Sequence, residues 1–65
     1  NILELKSKER KTSLEDHPYI KSFIFDNETN EYFYKLAFNS SKDLKNFKAT
    51  INNDQSISII NFEVI

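Results

Sequence analysis

Alternation of apolar and polar positions is the dominant pattern of this chain, and it is densest over residues 23–38. Phe23, Phe25, Tyr32, Phe33, Tyr34 and Phe38 all fall there, around the turn-prone run Asp26-Asn27-Glu28-Thr29-Asn30. Period-two alternation predicts two strands, residues 20–25 and 31–39, joined as a hairpin by a loop of about four or five residues built on a type I turn. On the first strand Phe23 and Phe25 share a face with Lys21, while Ile20, Ser22 and Ile24 share the other. On the second, Tyr32, Tyr34, Leu36 and Phe38 point one way, and Phe33, Lys35 and Ala37 the other.

The spacing changes after Asn39. Leu44, Phe47 and Ile51 recur at helical intervals and make one narrow apolar stripe, with Lys42 and Lys45 on the solvated side. Ser40 or Ser41 supplies a capping hydroxyl ahead of Asp43, and Asn52-Asn53-Asp54 ends the element, so a helix is predicted over about residues 41–51. Residues 56–64 return to alternation but slip phase. Ile57 and Ile59 share one face, then Ile60, Phe62 and Val64 share the other. Either both faces are covered or a β-bulge re-phases the strand near Ile59.

Residues 2–11 fit two templates. Leu3 and Leu5 alternate with charge as an edge strand would, yet Glu, Leu, Lys and Arg are good helix formers and Glu4 with Lys8 is a favourable helical pair. The alternation tips the reading towards strand. Thr12 and Glu15 have capping-box spacing, but Pro18 biases His17 out of the helical region, which leaves room for one short turn. The sum is an α+β fold: a small antiparallel sheet of three to four strands with one packed helix. Its core is expected to hold Ile24, Leu36, Phe38, Leu44, Phe47, Ile51, Ile57, Ile59 and Phe62.

Composition narrows this further. With 65 residues the chain makes one small domain over residues 1–65, and since it begins at Asn1 rather than Met it is read as processed, trimmed or cut from something longer. A domain of this size buries only about 60% of its unfolded surface, and such domains often rely on disulfides, metals or a partner. There is no Cys, which removes disulfides and thiolate metal sites and slightly favours a cytoplasmic setting. There is no Gly either, so turns must be made by Asn, Asp and Ser. Net charge is −1, without the basic excess of a typical nucleic-acid binder. No apolar run approaches the roughly 18 residues of a membrane span, so no membrane insertion is expected.

Chemistry-bearing motifs are sparse. Asp16 and His17 are adjacent in sequence and so point apart on an extended chain, and no general acid/base pair stands out. Catalytic residues are therefore not assigned and no enzymatic activity is expected. His17, before Pro18 in a polar segment, reads as a surface residue. Glu15, Asp16 and His17 lack a second His or Cys to complete a metal site. Absence of Gly rules out phosphate-cradling loops, so no cofactor is expected. Asn27-Glu28-Thr29 and Asn39-Ser40-Ser41 match the glycosylation triplet, a pattern that arises by chance in an Asn- and Ser-rich chain.

Association remains. One helix with a three-residue stripe covers only one face of a sheet, and the other face leaves an apolar patch of the kind that marks interfaces. The last strand lacks Lys, Arg and Pro, so it should be central or paired with another chain. The expected function is a non-enzymatic protein-interaction or oligomerisation module, with Tyr32, Phe33, Tyr34 and Ile60 as contact residues and a protein partner or a second copy as ligand. The alternative is a small nucleic-acid-binding domain, which would stack bases on sheet aromatics and meet phosphate with Lys6, Lys8, Arg10, Lys11, Lys21 and Lys35.

Overall fold

A computed structural model describes residues 1–64. The elements run β1 (Ile2–Ser7), α1 (Thr12–Glu15), β2 (Ile20–Asp26), β3 (Glu31–Ala37), α2 (Ser41–Ile51) and β4 (Ile57–Glu63). The four strands form one antiparallel sheet in the order β2-β3-β1-β4. This is the α+β architecture expected, with α2 packed on the sheet and α1 as a single extra turn. The ambiguous N-terminal segment is a strand, and it lies in the sheet interior rather than at its edge. β4, whose lack of edge defences suggested either a central place or pairing with another chain, is an edge strand.

Local chemistry explains the boundaries. Asp26 accepts from the Glu28 amide through its carboxylate (2.9 Å) and from the Asn30 amide through its carbonyl (2.8 Å), which closes the β2–β3 hairpin. Asn30 has φ of 58°, the left-handed conformation that Asn tolerates in a chain without Gly. Ser40 caps α2 by accepting from the Asp43 amide at 3.2 Å. The Thr12 capping box does not form. Lys11 holds the capping position of α1 without a side-chain bond, and Glu15 instead receives Arg10 Nε at 2.9 Å.

Two register shifts decide which side chains share a face. In the β1–β4 ladder Leu5 faces Ile59 and Glu4 faces Asn61, so Ile60 is the extra residue of a bulge. The bulge keeps Phe62 on the same side as Ile57 and Ile59, against Leu3, and turns Ile60 to the opposite side. A second shift near Lys21 puts Ile20 opposite Leu36 and leaves Ser22 opposite Lys35. The core is Leu3, Leu5, Leu14, Tyr34, Leu36, Phe38, Leu44 and Ile51, with Tyr19, Ile20, Tyr32, Phe47, Ile57, Ile59 and Phe62 packed around it. Ile24 is the exception among the expected core residues. It pairs with Phe33 on the opposite face and is 61% exposed, because β2 is apolar in both phases and alternation alone does not say which phase meets the helices.

Candidate interaction surfaces

Both helices lie on the face that carries Leu3, Leu5, Tyr34 and Leu36. Among the described residues no element covers the reverse face. Register places its side chains in rows that cross the sheet. One row runs Ile24, Phe33, Lys6, Ser58 from β2 to β4, and the next runs Ser22, Lys35, Glu4, Asn61. Ile60, on the bulge, projects beside them and is 49% exposed. Glu4, Ser22, Ile24, Phe33, Lys35 and Ile60 border a shallow trough of about 200 Å³. Two ion pairs cross this face, Lys35–Glu4 at 3.6 Å and Lys6–Glu31 at 3.7 Å. Both are partly solvent-exposed, so each adds little to stability and mainly sets the charge pattern.

A second apolar exposure lies on the helix side, past the reach of the helices. Phe23 and Phe25 are 40% and 41% exposed and pack on Tyr32, with ring centroids 5.8 Å and 4.6 Å apart. The four expected contact residues therefore divide. Phe33 and Ile60 lie on the open face, and Tyr32 joins the aromatic ledge with Phe23 and Phe25. Tyr34 is 1% exposed and has no area to offer a partner. Its hydroxyl accepts from the Lys11 amide at 2.9 Å, and burial pushes the phenol above its ordinary pKa. Ile24 is a surface residue that sequence reasoning missed. The available signal was its pairing with Phe33, which requires knowing the hairpin register.

The basic residues do not merge into one patch. Lys6 and Lys35 lie on the open face and each faces a carboxylate. Arg10 pairs with Glu15, and Lys11 bridges Glu9 at 3.3 Å and Asp54 at 2.8 Å beside the end of α2. Lys8 and Lys21 are exposed and form no ion pair among the described residues. Asp54 also accepts from the Ser56 amide and hydroxyl, at 3.0 and 2.6 Å. The Lys11 ammonium first, and then these two bonds, hold its carboxyl at about 2.

His17 is not a simple surface residue. It is half-buried among Tyr19, Phe38 and Phe47, and its Nδ1 accepts from the Tyr19 amide at 3.2 Å. That arrangement makes it a packing residue that closes the His17–Tyr19 turn. Among the described residues no three His, Cys, Asp or Glu side chains cluster as metal ligands would, and no helix is long and apolar enough to cross a membrane. Comparison with protein-family models, curated proteins and solved structures finds no match to this chain.

Proposed function

We propose that this chain is a non-enzymatic protein-interaction or oligomerisation module that works through the sheet face opposite its helices. The observation that carries the reading is the placement of Ile24, Phe33 and Ile60 together on that face, two of them about half or more exposed. An apolar patch framed by paired charges has the layout of a protein interface: an apolar centre that loses its water and a polar rim that orients the partner. Edge strand β4, free of Lys, Arg and Pro, adds an unpaired row of backbone groups beside the patch.

The alternative of a nucleic-acid platform draws on Phe33, which lies across from Lys6 and two residues before Lys35. Against it, both lysines face carboxylates on the same surface, so the face offers a polyanion as much repulsion as attraction. Passage over immobilised single-stranded DNA at two salt concentrations tests the choice. The interaction reading expects flow-through at both, and salt-sensitive retention would transfer the function to nucleic acid. Amide chemical shifts followed through dilution or partner titration should move at Ile24, Phe33 and Ile60 first. Shifts confined to the helix side would refute the assignment to this face.

A further inference from the structure

We infer that the occupant of the open face is a second copy of this chain, docked face to face about a two-fold axis parallel to the strands. The inference rests on the interaction reading above and names its partner. It follows from the order of residues across the sheet. A two-fold axis midway between two such faces, running between β1 and β3, lays β4 of one copy over β2 of the other and β1 over β3. In the Ser22-Lys35-Glu4-Asn61 row this puts Lys35 over Glu4 of the second copy, and Glu4 over its Lys35. In the next row it puts Ile24 over Ser58 of the second copy, with that copy's Ile60 projecting between the two rows. Phe33 meets the aliphatic stem of the second copy's Lys6. Lys35 and Glu4 each meet their opposite charge, and Ile24, Phe33 and Ile60 of both copies are enclosed between the two sheets. Two sheets stacked in this way are a sandwich with both helix layers outside, at the usual separation of about 10 Å.

The size of the face sets the strength. Four strands at about 4.8 Å spacing and seven residues at about 3.3 Å rise give a footprint of roughly 450 Å² per copy, against about 800 Å² in a standard interface. The dimer is therefore weak and reversible, with an expected Kd between about 10 μM and 1 mM.

Charge reversal in trans is the test. Sedimentation equilibrium should show the wild type associating over that concentration range. Glu4→Lys alone gives a copy whose two interface charges are both positive, and Lys35→Glu alone gives one whose charges are both negative. Each should associate at least about tenfold more weakly than the wild type. A one-to-one mixture of the two variants should recover association, because each copy then meets its complement. An ion pair acting only within one chain predicts no such recovery. Both side chains lie at the surface, so the variants should keep the wild-type circular dichroism. Ile60→Glu touches neither pair, and its own weakening of at least about tenfold gives a second reading should a charge variant unfold. If the wild type associates but the mixture is no stronger than its parts, or Ile60→Glu is neutral, the inference is overturned while the interaction reading moves to the aromatic ledge or the β4 edge. A wild type that stays monomeric to about 1 mM also overturns it. Salt-sensitive retention on single-stranded DNA in addition would overturn the interaction reading as well.

Discussion

The two faces of this sheet are made by the same strands, yet they solve different problems. On the helix side, Leu3, Leu5, Tyr34 and Leu36 meet Leu44 and Ile51 and lose nearly all contact with water. On the reverse side, Ile24, Phe33 and Ile60 stand among Glu4, Lys6, Glu31 and Lys35 and keep much of theirs. The first face is ordered by packing, where every methylene counts. The second is ordered by charge pattern, where individual side chains add little to the monomer and choose the partner. In a domain this small the contrast is sharp, because stability comes from one thin layer between sheet and helices.

The strongest way to break the comparison is to cut into the packed face. Leu5→Ala should cost about 2–5 kcal/mol and leave a largely unfolded chain, seen as loss of the urea transition baseline. Phe47→Ala tests how far the core extends. Phe47 is only half-buried, at 4.8 Å from the His17 ring and 5.3 Å from Phe38, so the loss should be about 2 kcal/mol, below the range for a fully buried ring. Equal losses at Leu5 and Phe47 would mean the helix seals the face more tightly than its exposure suggests.

Asp54→Asn removes the anchor that ties the β1–α1 connection to the end of α2 through Lys11. The Asp54 carboxyl sits at about 2 in the folded chain against an ordinary value of 3.8. Its contribution is therefore complete above the ordinary value and disappears as pH falls towards the folded one. The variant should melt lower than wild type at neutral pH, and the two should converge between about pH 4 and 2. A gap in Tm that persists below that window would show that Asp54 acts through shape instead of charge. The smallest monomer effect is expected on the open face, where Ile24→Ser should change unfolding free energy by no more than about 0.5 kcal/mol while weakening self-association. A large stability loss in dilute solution would place Ile24 in the core after all.

Much of the fold was readable from local pattern. The β2–β3 hairpin, its Asp/Asn turn, a serine cap at Ser40 or Ser41 and the Leu44-Phe47-Ile51 stripe all depend on residues near one another in sequence, where spacing carries the physics. The phase slip near Ile59 was also visible as two possibilities, and the bulge at Ile60 resolves it. What was not readable turns on partners far along the chain. Leu3 and Leu5 look like an edge strand until β3 and β4 flank them. Leu14 sits in a short turn too brief to show periodicity, yet it is buried. Tyr34 resembles an interface residue by type and is a core residue because Lys11 supplies its hydroxyl with a donor.

The order of apolar and polar residues by itself determined the α+β class, the hairpin, the single amphipathic helix and the need for one uncovered sheet face, because each follows from periodicity and a count of covering surface. Only the tertiary structure decided which phase of β2 faces the helices, which strand is central, and which basic residues stand beside a carboxylate. Those choices rest on pairings between strands distant in sequence. A period-two pattern is unchanged when a strand is turned over, so it carries no record of its neighbours.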